Sequence, residues 1–95
     1  MIFCISGSTV ESVAVCAGSG VSVLSGCQAD LWITGEMSHH EVLDVIHRRT
    51  SIILCEHSNT ERGFLSAFKE TLSRGFANKI DIIISKEDKD PLSIV

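Results

Sequence analysis

The chain has 95 residues, of which 44% are apolar and 21% charged, and its net charge is -4. This composition is that of one folded domain with a modest core, and it excludes an intrinsically disordered chain. The negative charge gives no general attraction to nucleic acid or anionic lipid, and no apolar run is long enough for a membrane span or a secretory signal. We therefore expect a cytoplasmic protein, with the nucleus as a second location, that has no direct nucleic-acid or membrane partner.

Four short runs rich in valine and isoleucine predict strands, at residues 13–17, 31–34, 52–55 and 80–84. None alternates cleanly with polar residues, which is typical of strands covered on both faces. The stretches between them carry apolar residues at helical spacing, in residues 21–27, 42–46 and 64–72. The sequence therefore predicts an α/β fold of order βαβαβαβ, with a mainly parallel sheet and helices packed on its faces.

Local signals support these boundaries. Ser38 with Glu41, and Ser58 with Glu61, match the capping box that begins a helix. Residues 47–49, His-Arg-Arg, are interpreted as the cationic last turn of a helix. The four cysteines have no paired spacing, so we expect reduced, buried thiols.

Polar segments follow the first three strands, and in a parallel sheet the carboxyl ends of the strands lie at one edge, where ligands bind. The candidate residues are Gly18, Ser19 and Gly20 after the first strand, Thr34, Gly35, Glu36, Ser38, His39 and His40 after the second, and His57 and Glu61 after the third.

Each of these segments has a structural alternative. The residues Gly18-Ser19-Gly20 are either an anion or substrate loop or a tight strand-to-helix turn, and Val23 stands where a dinucleotide fingerprint has its third glycine. His39 and His40 are adjacent and diverge by about 100° on a helix, which favours surface and cap roles over shared metal binding.

His57 and Glu61 are four residues apart, a spacing at which an imidazole and a carboxylate can bind one divalent metal ion. The alternative is that Glu61 completes the capping box and His57 merely precedes it. Glu36 is either a base at the strand end, an acceptor that supports a metal ligand, or an exposed loop acid. No serine or cysteine nucleophile with its base can be assembled from the sequence.

Four motifs together resemble the carboxyl-terminal part of the NIF-three-like family, the NGG-one-interacting-factor-three-like proteins, and most of all an animal member. They are Cys-Ala-Gly-Ser-Gly at 16–20, Ala-Asp-Leu-Trp-Ile-Thr-Gly-Glu-Met-Ser-His-His at 29–40, Cys-Glu-His-Ser-Asn-Thr-Glu-Arg-Gly at 55–63 and Asp-Pro-Leu at 90–92. The resemblance covers a domain over residues 13–95 and leaves residues 1–12 unmatched.

The resemblance implies an α/β fold with a two-metal site of carboxylates and histidines, in a family whose members are also called GTP cyclohydrolase type 2 homologues. Its late His-x-x-x-Glu metal motif falls on His57 and Glu61, whereas His39 and His40 belong to a segment that lines the cleft. The other ligands come from an amino-terminal portion that has no counterpart in these 95 residues. We therefore expect a truncated form of a larger fold, in which divalent metal ions, zinc or similar, bind weakly or not at all.

The resemblance also implies the function. We expect a non-catalytic regulatory or protein-interaction role, with transcriptional co-regulation through protein partners and a homo-oligomer in the full-length form. The alternative is a metal-dependent hydrolase-like enzyme for a phosphorylated or nucleotide substrate, active only with the missing metal ligands. The chain alone is not expected to be an enzyme.

Overall fold

The computed structural model describes residues 1–3, 9–93 and 95. These residues form two compact units, Met1–Thr60 and Glu61–Val95. No helix within the described ranges combines the length and the apolar character that a membrane span requires.

The first unit is built on a four-stranded sheet. Its strands are β1 (Ile2–Phe3), β2 (Val13–Cys16), β3 (Leu31–Thr34) and β4 (Ser51–Leu54), in the spatial order β1-β4-β3-β2. Strands β2, β3 and β4 are parallel, and the short β1 pairs with β4 in the antiparallel direction. The predicted α/β class with a mainly parallel sheet is confirmed.

Helices connect the parallel strands. Helix α1 (Val21–Leu24) lies between β2 and β3, α2 (His39–His47) lies between β3 and β4, and α3 (His57–Arg62) follows β4. Helix α2 begins with the predicted capping box: the Glu41 N–H donates to Ser38 Oγ, and the Ser38 N–H donates to Glu41 Oε2 at 2.7 Å. The second capping box is wrong, because α3 already begins at His57 and Ser58 therefore lies inside the helix.

The core of the first unit lies on one face of the sheet. Parallel register places Trp32 beside Ala14 and Ile52, so these side chains share that face. Burying a large apolar side chain there contributes about 1.5–3 kcal/mol. The buried core consists of Leu24, Trp32, Val42, Val45 and Ile52.

The other face of the sheet is open at β2. Val13 and Val15 are 51% and 69% exposed, whereas Ala14 and Cys16, which alternate with them, pack against the core. The expectation that every strand is covered on both faces is therefore wrong for β2, because α1 and α2 contribute their buried residues to the core face alone.

The second unit contains α4 (Phe64–Gly75), in which the rings of Phe64 and Phe68 stack with centroids 5.6 Å apart. The strand predicted at residues 80–84 is wrong, since none of the described strands includes them. A strand needs a ladder partner. Here Ile82 and Ile84 are half-buried and line an apolar groove with α4, while Ile83 is 84% exposed.

A second correction concerns the thiols. Cys27 is exposed, and Cys16 and Cys55 are only half-buried, so the expectation of buried cysteines is wrong for these three. The fourth, Cys4, lies outside the described residues.

Thr34 ties the end of β3 to the turn that follows β2. Its side chain is only 1% exposed, yet Oγ1 donates to the Gly18 carbonyl at 3.1 Å and accepts from the Gly20 N–H at 3.2 Å. A buried hydroxyl is tolerated when it is hydrogen-bonded in this way. Thr34 therefore joins two strand ends through a side chain.

We expect Thr34→Val to lower the free energy of unfolding by about 1–3 kcal/mol, because the buried Gly20 N–H loses its acceptor. The matched control is Thr71→Val, since Thr71 is exposed and its hydroxyl donates only within α4, to the Ala67 carbonyl. The control is expected to change stability by less than about 0.5 kcal/mol. Urea unfolding measures both, and equal losses in the two variants would contradict the assigned role of Thr34.

Candidate functional site

The segments that follow β2, β3 and β4 meet at the carboxyl edge of the parallel sheet. The Gly18 carbonyl accepts the N–H groups of Gly35 at 3.0 Å and Glu36 at 3.1 Å. The Gly18 N–H donates to Thr60 Oγ1 at 2.8 Å, which joins the first segment to α3. The structure therefore brings together the three segments that the sequence singles out.

Gly35 is where these segments come closest. A side chain at this position would place its Cβ 2.7 Å from the Gly18 carbonyl oxygen, 2.9 Å from the Cα of His57 and 2.9 Å from Thr60 Oγ1. Real Cβ atoms do not occur at such distances from backbone atoms. Only glycine therefore lets the three strand ends approach this closely.

The segment Gly18-Ser19-Gly20 forms a tight turn. Gly18 has a φ of 67°, and a Cβ on Gly20 would lie 2.6 Å from Thr34 Oγ1. The N–H groups of both glycines donate to threonine hydroxyls, that of Gly18 to Thr60 and that of Gly20 to Thr34. Packing accounts for both glycines, and the anion or substrate loop remains a prediction.

A hydrogen-bonded network of three side chains lies at this edge. Ser19 Oγ donates to Glu36 Oε1 at 2.7 Å, and His57 Nδ1 lies 2.7 Å from the same oxygen. All three groups are at least partly open to solvent. The serine, the carboxylate and the imidazole come from three different strand ends, which is why no sequence spacing reveals the network.

The network lowers the pKa of Glu36 and favours one tautomer of His57. The hydrogen bond from Ser19, and then that from His57, lower the pKa of Glu36. An ionised carboxylate only accepts hydrogen bonds, so Nδ1 of His57 is the protonated nitrogen. In the neutral imidazole the lone pair is then on Nε2, the arrangement by which carboxylates orient metal-binding histidines.

The remaining candidates have separate positions. Ser38 caps α2, and His39 and His40 are exposed in its first turn with ring centroids 6.0 Å apart. Thr34 is buried and structural. Glu61 is exposed, four residues beyond His57 in α3, and is the first residue of the second unit.

Sequence reasoning anticipates the role of Glu36 in part and misses that of Ser19. Glu36 is predicted as a base or an acceptor at the strand end, or as an exposed loop acid, and the structure places it against His57. Ser19 is predicted only as part of a glycine loop, whereas its hydroxyl donates to Glu36. Thr60 is not predicted at all, although it donates to the His57 carbonyl and accepts from Gly18. The available signal is position: Ser19 and Glu36 lie within three residues of a strand end, and Thr60 lies in the helix that follows β4.

We expect Ser19→Ala to raise the pKa of Glu36 toward its ordinary value, because the variant removes the largest of the causes that lower it. A carboxyl whose pKa is lowered by folding contributes stability that is present above the ordinary pKa. That stability is lost as the pH falls through the lowered value, so the variant should lose less stability on acidification.

Carbon-13 NMR titration of the carboxyl groups measures this pKa. Glu41 is the internal control, since its pKa is lowered by Ser38 in the α2 capping box and should stay unchanged. An unchanged pKa of Glu36 in the variant would contradict the network.

Known proteins match the chain along most of its length. The family described as Duf34/NIF3 (NGG1p interacting factor 3) matches residues 4–91. NIF3-like protein 1 of the mouse is 61% identical over 88 residues, which cover 93% of this chain and 23% of the mouse protein. NGG1-interacting factor 3 of Saccharomyces cerevisiae is 45% identical over 87 residues, covering 90% of this chain and 30% of the yeast protein.

The fold has a counterpart among solved structures. The crystal structure of a hypothetical protein of Staphylococcus aureus superposes on all of this chain and on 33% of its own, with a TM-score of 0.78 and 25% identity. The chain thus spans about a quarter to a third of the proteins that it matches. Because the family match extends over most of the sequence, the chain belongs to the Duf34/NIF3 family.

Proposed function

We propose that the chain acts through protein partners, in a regulatory and transcription-related role rather than a catalytic one. The yeast relative is named as a factor that interacts with NGG1. The structural observation that supports the proposal is an apolar strip on the open face of the sheet in the first unit.

The strip runs across neighbouring strands. Val15 of β2 is level with Ile33 of β3 and Ile53 of β4, and Ile53 is level with Ile2 of β1. Val15 and Ile2 are 69% and 65% exposed, and the two isoleucines between them are half-buried. Contiguous exposed apolar surface of this kind is typical of protein-binding sites. This face supports the proposal of a protein partner.

The experiment measures binding of the purified chain to purified yeast NGG1 by calorimetry. We expect Val15→Lys to weaken binding at least about tenfold, since it places a charge in an apolar contact. The matched control is Val23→Lys in α1, because Val23 is 66% exposed and does not belong to the strip. Absence of binding by the unaltered chain, or an equal loss in both variants, would overturn the proposal.

A second candidate function is supported by the Glu36–His57 contact. We infer that His57, and Glu61 by the spacing of the family motif, are ligands of a divalent metal ion such as zinc. An imidazole held through Nδ1 by a carboxylate fits such a ligand. Within the described ranges, no group of three or more His, Cys, Asp or Glu side chains is arranged to hold an ion.

A metal-dependent enzyme that contained this chain would use its contacts to hold one metal ligand in place. Glu36 holds the His57 ring in one orientation, and Ser19 holds Glu36. A divalent ion at such a site would supply activated water for hydrolysis of a phosphorylated or nucleotide substrate. The remaining ligands would have to come from beyond the residues that the structure describes, so hydrolysis is proposed only for a longer protein.

We expect the isolated chain to bind zinc weakly, with a dissociation constant of roughly 10 μM or higher, because two ligands leave half of a tetrahedral site to water. Zinc titration followed by NMR of the imidazole signals should shift the ring of His57 and leave that of His47 unchanged. His47 is the control, since its Nδ1 lies 2.6 Å from the Leu43 carbonyl at the other end of α2.

Elemental analysis after dialysis completes the measurement. One tightly held zinc ion per chain would contradict weak binding. An unmoved His57 signal at millimolar zinc would contradict its assignment as a ligand.

A further inference from the structure

The second unit contains an apolar segment whose backbone has no hydrogen-bond partner. Residues 80–84, Ile-Asp-Ile-Ile-Ile, belong to neither a helix nor a strand. Within the part of the chain that the structure describes, no group donates to or accepts from a backbone N–H or C=O of this segment. Unpaired backbone groups in an apolar, β-branched segment are a template for pairing with another strand.

Exposure alternates along the segment with the period of a strand. Ile82 and Ile84 are half-buried beside α4, whereas Asp81 is exposed and Ile83 is 84% exposed. In a strand, successive side chains point to opposite faces. The segment therefore has one face against α4 and one face in solvent, as a strand does, and lacks only a neighbour to pair with.

Helix α4 leaves apolar surface beside this segment. None of its residues is buried, and Phe68 is 43% exposed. A pair of strands is marginal in water unless a helix or further strands cover one face. Helix α4 supplies that cover, because it forms an apolar groove with the segment, entirely within the second unit. The apolar residues of the groove are Leu65, Phe68, Leu72, Ile82, Ile83 and Ile84.

Opposite charges lie at the two ends of the segment. Lys79 precedes it, and the acidic residues Glu87 and Asp88 follow it closely. Asp88 is already paired, since Arg62 Nε donates to its Oδ2 at 2.9 Å. Glu87 is exposed and makes no ion pair with a described residue. One open cation and one open anion thus flank the segment.

This arrangement of charges is complementary to itself when two copies run in opposite directions. Antiparallel pairing about Ile82 brings Lys79 of each copy close to Glu87 of the other. Parallel pairing in register would instead place Asp81 directly opposite Asp81, and like charges in that position are destabilising. The partner that fits the segment is therefore a second copy in the antiparallel direction.

We propose that two copies of this chain associate through residues 80–84, which pair as antiparallel strands about a two-fold axis at Ile82. Ile80 of each copy then lies opposite Ile84 of the other, and about four to six backbone hydrogen bonds form. A two-fold contact of this kind closes at the dimer. The interface contains no residue of the apolar strip, so the dimer presents two strips to protein partners.

Sedimentation velocity of the purified chain tests the association. We expect a reversible equilibrium between monomer and dimer over a roughly hundredfold range of concentration. A monomer at every concentration, or assembly that continues beyond the dimer, would overturn the proposal.

Amide hydrogen exchange, followed by NMR at low and high concentration, locates the interface. We expect every second amide within residues 80–84 to exchange more slowly in the dimer, because alternate N–H groups of a strand point to the same neighbour. Slower exchange at Val13 and Val15 instead would place the contact at the edge strand β2 and would contradict the proposal.

Proline variants test whether the contact is made by the backbone. Either set of alternate N–H groups can face the partner, so both Ile82→Pro and Ile83→Pro are needed. The matched controls are Ile82→Thr and Ile83→Thr, which keep the N–H and the β-branched shape. At the position whose amide is protected, proline should weaken dimerisation at least about fivefold more than threonine does.

Folding of these variants is verified by the indole N–H signal of Trp32, the single tryptophan, which lies in the first unit and should stay unchanged. Equal dissociation constants for proline and threonine at both positions would show that no strand pairing occurs.

A charge exchange tests the antiparallel direction. Lys79→Glu and Glu87→Lys should each weaken dimerisation about two- to fivefold, and the double variant, which has the net charge of the unaltered chain, should restore it. Glu87→Lys reduces the negative net charge, so a general charge effect would strengthen association instead. Equal dissociation constants for the unaltered chain and all three variants would overturn the antiparallel contact.

Discussion

The close approach of three strand ends around Gly18 and Gly35 is the constraint on which the carboxyl edge of the sheet depends. The Gly18 carbonyl receives donors from β3 and the residues after it, while the Gly18 N–H reaches Thr60 of α3. Without a Cβ at residue 35, His57 comes close enough for its ring to meet Glu36. The network of Ser19, Glu36 and His57 is therefore a product of backbone packing rather than of any local sequence motif.

The sequence predicts most of the first unit because its signals there are local. The runs at β2, β3 and β4 are apolar and β-branched, and the capping box at Ser38 is confirmed by both of its hydrogen bonds. The same reasoning is wrong at residues 80–84, whose composition is that of a strand but which line an apolar groove with α4 instead of joining a sheet. Composition shows that such a segment is apolar and rich in isoleucine, but not whether a ladder partner exists.

In the candidate site, too, single residues can be predicted from the sequence, but the contacts between them cannot. The resemblance identifies His57, and the position after a strand identifies Glu36, but their contact joins residues 21 positions apart. Trp32 lies in one of the matching motifs without an assigned role, since the lack of a partner for its buried indole N–H among the described residues depends on what surrounds the ring. Such contacts follow from the register of the parallel strands, which the spacing of apolar residues does not specify.

The threonine hydroxyls give the carboxyl edge a particular chemical character. Thr34 and Thr60 join the strand ends through bonds between neutral groups, and neither a disulfide nor an ion pair is among them. Such bonds are not screened by salt and do not change with the redox state of the solution. The backbone around Gly18 therefore keeps its geometry in high salt, in reducing buffers and in the presence of chelators, so that a ligand arriving at this edge meets a scaffold that is already assembled.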